Sequence, residues 1–93
     1  MKKKNANRFR ENLVEHLELP KDLMLGAALL SVTGRREILI ENYKGILEYE
    51  ENLIQVQTKD FRIKISGAHL VISYYTNEEM KITGYIETIE YGL

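Results

Sequence analysis

Apolar positions recur along this chain with two different periods, and the change falls near residue 20. Over residues 7–18, Phe9, Leu13 and Leu17 recur at every fourth position while Glu11, Glu15 and Glu18 take other faces. That spacing predicts a short amphipathic helix. Asn7 suits its N-cap, although no acid stands three residues on to complete a capping box. Pro20 ends the pattern, because a residue before proline is pushed out of the helical region.

From Leu23 onward the spacing becomes two. Leu30 and Val32, Ile38 and Ile40, Ile54 and Val56, Phe61-Ile63-Ile65, Leu70-Ile72-Tyr74 and Met80-Ile82 alternate with other residues. Such alternation predicts strands with one buried face and one wet face, with Arg62, Lys64 and Ser66 on the wet side. Turn-forming runs separate the strands: Gly34-Arg35-Arg36, Glu50-Glu51-Asn52, Thr58-Lys59-Asp60, Ser66-Gly67 and Thr76-Asn77-Glu78-Glu79. Near the C-terminus Ile82, Gly84 and Ile86 keep step, then Ile89 and Tyr91 take the opposite parity. A bulge or bend around Glu87-Thr88 reconciles the two sets.

The predicted architecture is mainly β: six or seven short antiparallel strands in a meander, preceded by one N-terminal helix. A sheet with one apolar face cannot stand alone. The stripe of Phe9, Leu13 and Leu17 is too small to cover it, so the sheet is expected to curl into a small roll or barrel-like form, or to pair with another copy. One feature permits an alternative. Lys64-Ile65-Ser66-Gly67 followed by Ile72-Ser73-Tyr74 recurs 17 residues later as Lys81-Ile82-Thr83-Gly84 followed by Ile89-Glu90-Tyr91, and Val32-Thr33-Gly34 followed by Leu39 is a partial third copy. A period of about 17 residues is compatible with a short β-solenoid. The organisation is read as a basic arm over 1–6 and a single β-rich domain over 7–93.

Length and composition bound the function. Ninety-three residues make one domain, near the small end of what buries its own core. With 44% apolar and 29% charged residues, the chain has the balance of a globular protein. No cysteine is present, which removes disulfides, thiolate metal sites and thiol nucleophiles. The longest apolar run, Leu23 to Leu30, is too short to cross a bilayer, and no apolar h-region follows Lys2–Lys4. The net charge of −1 hides an asymmetry, because residues 1–10 hold Lys2, Lys3, Lys4, Arg8 and Arg10 and no acid, leaving a body of net charge −6. An acidic body is a poor match to nucleic acid. The arm reads either as a solubilising terminus or as a contact for an anionic membrane surface.

Candidate chemistry is sparse. His16 and His69 stand far apart and read as surface histidines, and the adjacent carboxylates Glu50-Glu51 and Glu78-Glu79 read as solvated turn acids. No phosphate-loop, nucleophile-elbow, zinc-ligand or dinucleotide spacing occurs, so neither a catalytic site nor a cofactor is expected. Gly34, Gly67 and Gly84 read as turn glycines. Tyrosine is frequent, at Tyr43, Tyr49, Tyr74, Tyr75, Tyr85 and Tyr91. Tyrosine forms strands well and is also enriched in interfaces; no accompanying signature points to base stacking.

The segment from Ile40-Glu41-Asn42 through Gly45-Ile46 to Tyr49 stands with Leu19-Pro20-Lys21-Asp22, Val32-Thr33-Gly34, Ile65-Ser66-Gly67 and Ile82-Thr83-Gly84. In order and spacing these pieces resemble the YabP/YqfC family of sporulation proteins over roughly residues 19–91, with a start more like the YqfC branch. The resemblance implies a small non-enzymatic protein of the mother-cell cytoplasm in an endospore-forming bacterium, made for normal spore formation. It also implies a membrane-bound sporulation protein as neighbour. No catalytic residue comes with it. Glu41, Asn42 and Gly45 match its most recognisable motif and, with Tyr49, Tyr75 and Tyr85, are the candidate interaction residues. The partners expected are another copy of the chain, a membrane-bound protein, or both, the second of which would set the protein at the periphery of the forespore membrane. A small-ligand-binding β domain is the remaining alternative.

Overall fold

The structure, a computed structural model, describes residues 26–93. The predicted helix over 7–18 and the basic arm lie outside the described residues. Six strands form the described chain: β1 (Leu29–Thr33), β2 (Glu37–Glu41), β3 (Tyr43–Glu50), β4 (Leu53–Thr58), β5 (Arg62–Tyr75) and β6 (Glu79–Gly92). They make one sheet in the order β1-β2-β6-β5-β4-β3, and every pairing is antiparallel.

Two expectations are corrected by this order. The strands do not form a single meander: β3 to β6 do, but the β1–β2 hairpin sits on the far side of β6. Nor does the sheet close into a barrel, since β1 pairs only with β2 and β3 only with β4. The solenoid alternative fails as well, because stacked rungs would pair in parallel.

The period-two pattern holds where it is strongest. Ile38 and Ile40 of β2, Ile54 and Val56 of β4, Ile63, Ile65 and Leu70 of β5, and Met80, Ile82 and Ile86 of β6 are buried in one cluster. Each such aliphatic side chain contributes about 1.5–3 kcal/mol relative to leaving it in water. Arg62 and Lys64 face outward between them. Thr58 is the one buried polar side chain among the described residues. Its hydroxyl donates to the Phe61 carbonyl at 2.7 Å and accepts from the Phe61 amide at 3.1 Å, which locks the turn into β5.

The parity slip is also where the pattern places it. Ser66 pairs with Thr88 and Gly67 with Ile86, leaving Glu87 as an extra residue on β6. Further shifts fall between Ala68 and Val71 and between Ile72 and Tyr74 on β5. Bulges bend strands and increase their twist. Here they curl the long β5–β6 ribbon, so that β2 and β4, which pair with different halves of it, share one core.

The sequence repeat is an approximate two-fold axis through that ribbon. Ile65 pairs with Ile89, and Ile72 pairs with Ile82, so the second position of each copy meets the ninth of the other. Around it, β4 packs on β5 through Ile54–Ile65 and Val56–Ile63, as β2 packs on β6 through Ile38–Ile82 and Ile40–Met80. The domain is therefore two similar units, β1-β2-β6 and β3-β4-β5. Val32-Thr33-Gly34 is not a third copy, since it belongs to the β1–β2 hairpin.

Gly67 and Gly84, expected in turns, lie inside β5 and β6 at this axis. A Cβ on Gly67 would overlap the Tyr85 carbonyl, and one on Gly84 would come within 2.6 Å of the His69 carbonyl oxygen. Both are glycine because two backbones meet there.

Candidate functional site

The family-motif residues turn out to build a corner. Asn42 links β2 to β3 with a left-handed backbone (φ 63°), a conformation asparagine tolerates better than most residues. Its amide donates to the Glu78 carbonyl at 2.6 Å, and its side-chain Nδ2 donates to the Ala27 carbonyl at 2.9 Å. Glu41 ends β2 opposite Glu79. Gly45 sits between the register shifts of β3, with open space where a Cβ would stand. These three carry the chain from the first unit into the second.

The predicted tyrosines are not brought together into one site. Tyr43 reaches from the corner to donate its hydroxyl to the Thr76 carbonyl. Burial raises the Tyr43 phenol above its ordinary pKa, with the neighbouring Tyr75 adding to the effect. Tyr49 serves β5 at a different place: β4 begins at Leu53, opposite Ser66, and covers only 62–66, and the Tyr49 hydroxyl accepts the Ile72 amide at 3.0 Å beyond it. Tyr75 and Tyr91 are among the most exposed apolar side chains.

Two surfaces concentrate what remains. The first is β3, an edge of the described sheet, where Ile46, Leu47 and Tyr49 stand 38%, 51% and 50% exposed, Ile46 and Tyr49 on the face they share with Val56 and Ile54. The second is the bend of the β5–β6 ribbon, flanked by two hairpin loops. On one side, Gly84 and Ile86 donate their amides to the Arg36 and Arg35 carbonyls. Both guanidinium groups stand over the Tyr85 ring, 5.0 and 5.9 Å from its centroid, within cation–π range. On the other side, Gly67 and Leu70 donate to the Asn52 and Glu51 carbonyls.

His69 adopts a left-handed backbone (φ 54°) at the bend, and its Nδ1 meets Glu51 Oε1 at 2.8 Å. Glu50, Glu51, Asn52, Gly67, Ala68 and His69 line a shallow depression there. His69 thus gains one carboxylate, yet both side chains are more than 70% exposed. An open pair of this kind lacks the desolvation on which general acid–base chemistry depends. Sequence reading missed the meeting of Arg35 and Arg36 with Tyr85, and of His69 with Glu51. The only signal lay in the repeat, which, read as a two-fold axis, brings both loops to one ribbon.

Among the described residues no group of three or more His, Cys, Asp or Glu side chains is placed to hold a metal ion. No helix among them is long and apolar enough to cross a membrane. Lys2, Lys3, Lys4, Arg8 and Arg10, the possible membrane arm, lie outside the described residues.

No solved structure matches the chain. An uncharacterised protein of Bacillus subtilis (strain 168), YqfC, is 34% identical over 85 residues, which cover 91% of each chain. The model of the YabP family matches residues 26–92, a span that takes in all six strands and the Asn42 corner. On these matches the chain belongs to the YabP/YqfC family.

Proposed function

We propose that this protein is a non-enzymatic sporulation factor that works by protein–protein association along the β3 edge. The observation that carries the reading is the edge itself. Eight residues, Tyr43–Glu50, end the described sheet with their outer side unpaired by any described strand, and Ile46, Leu47 and Tyr49 of this strand are exposed. An open edge with apolar side chains is a template for an added strand. Aromatic side chains of the Tyr49 kind supply contact area at low entropic cost. The register shifts along β3 restrict which strand fits, favouring one partner over indiscriminate pairing.

The resemblance to sporulation proteins supports the biological setting: the mother-cell cytoplasm, with a membrane-bound sporulation protein at the forespore surface as the partner that pairs with β3. The pair Ile46→Lys/Leu47→Lys places two charges on the edge at positions outside the buried cluster, Ile46 bordering it through its pairing with Val56. The expected outcome is a folded domain, by far-UV circular dichroism and thermal melting, with spore formation lost in an endospore former carrying it in place of the native gene. Normal sporulation with this folded variant removes the proposal.

A further inference from the structure

The β5–β6 bend offers a second surface, on a different part of the molecule from the β3 edge. Four backbone segments lie side by side there: the Arg35–Arg36 loop, Gly84–Ile86, Gly67–Leu70 and the Glu50–Asn52 loop. At one interstrand spacing each, the basic and acidic loops are separated by about 14 Å. Arg35, Arg36, Glu50 and Glu51 are all exposed. Among the described residues Arg35, Arg36 and Glu50 form no ion pair, and Glu51 meets only His69. The internal two-fold axis runs between the loops, so the two poles occupy equivalent places with opposite sign.

We infer that this bend is a docking surface for a second copy of the same chain, each copy's Arg35 and Arg36 facing the other's Glu50 and Glu51. The argument is self-complementarity. A partner of one charge would be drawn to one pole and repelled by the other. A second copy, turned by half a rotation about an axis in the contact plane and across the row, presents its acidic loop to the basic loop and its basic loop to the acidic one. Such an isologous contact closes on itself as a dimer. The alternative rotation sets like charge on like charge and is disfavoured. Tyr85 and Ala68, paired across the ribbon between the poles, supply the apolar centre. Charges at an exposed contact govern orientation and salt dependence more than affinity, so the dimer is concentration- and salt-dependent.

Light scattering and sedimentation equilibrium on the full chain test this across concentration, at low and high sodium chloride. The expected result is a dimer at low salt whose dissociation constant rises about tenfold or more at high salt. Arg35→Glu/Arg36→Glu and Glu50→Arg/Glu51→Arg should each be monomeric where the native chain is dimeric, while a one-to-one mixture of the two restores a dimer, seen as a heterodimer by native mass spectrometry. Arg36→Glu and Glu50→Arg singly, which keep the Arg35 bond to the Ile86 carbonyl and the His69–Glu51 pair, serve if a double variant fails to fold. A charge-reversed variant that dimerises like the native chain overturns the inference, as does a mixture that stays monomeric. A dimer lost instead in Ile46→Lys/Leu47→Lys overturns it and assigns self-association to the β3 edge. A native chain monomeric at every concentration also overturns it, and leaves the edge reading standing with a different protein as partner.

Discussion

The two units of this domain share a plan and differ at their exits. In β3-β4-β5 the second strand returns directly to the third: the Thr58 amide bonds the Phe61 carbonyl, and the chain turns at once into β5. In β1-β2-β6 the equivalent strand does not return. The Asn42 amide bonds Glu78 from another part of the chain, and the backbone continues through a left-handed residue into β3. One exit makes a local hairpin, and the other stitches the units together. The family motif around Glu41, Asn42 and Gly45 lies on the stitch. That location explains the asparagine without a binding role, since a left-handed residue that also bonds Ala27 is required there.

The place where the units are most alike gives the largest expected effect. Gly67 and Gly84 hold related positions at the ribbon axis, each facing the other strand's backbone. Gly67→Ala should cost about 3 kcal/mol in denaturant unfolding, because the obstruction is a carbonyl that cannot move aside without breaking the ladder. Gly84→Ala should cost a comparable amount. Gly34, which has φ 55° but nothing near its missing Cβ, should lose only about 1 kcal/mol on the same change. Equal losses at Gly34 and Gly67 would show that the axis is not closely packed.

These glycines also mark where the sequence was legible and where it was not. Alternation identified the buried positions of β2, β4 and the first halves of β5 and β6, because a one-residue error there would turn Ile38, Ile54, Ile63 or Ile82 to water. The bulge at Glu87 was legible for the same reason. The two-fold axis was visible as a repeat but not interpretable as one, since copies 17 residues apart fit stacked rungs as well as facing strands. Ser66-Gly67 resembled a turn because close backbone approach and turn geometry select the same residue. The crossing of β2 to β6 depends on contacts between residues far apart in the chain, which no local pattern encodes. The charged bend was hidden likewise: Arg35, Arg36, Glu50 and Glu51 look like turn residues until the fold sets both loops against one ribbon.

The next effect tests the contrast between exits. Asn42→Ala forfeits both the tolerated left-handed backbone and the bond to Ala27, for a loss of about 2 kcal/mol. Asn42→Gly restores the backbone freedom but not the bond, and should recover about half of that. If alanine and glycine prove equally costly, the side-chain bond and not the backbone is what the corner needs.

The smallest effect separates the units by pH. Lys64 and Lys81 open the two copies of the repeat, yet among the described residues Lys64 stands opposite Glu90 without closing an ion pair, and only Lys81 of the two closes one, with Glu37 at 3.0 Å. That hydrogen bond and charge raise the Lys81 ammonium above its ordinary value, as burial raises the Tyr43 phenol. In both cases the folded state holds its proton more tightly than the unfolded chain. The associated stability is therefore complete below about pH 10 and lost as pH climbs through the raised values. Denaturant unfolding from pH 7 to 11 should show stability falling above about pH 10. Tyr43→Phe costs about 1 kcal/mol or less at neutral pH through its lost bond to Thr76, but it should flatten the alkaline fall. Lys81→Gln should flatten it further. A slope left unchanged by Lys81→Gln would mean that the Glu37 pair does not set the two units apart along the ribbon, and that their difference lies only in the loops at its bend.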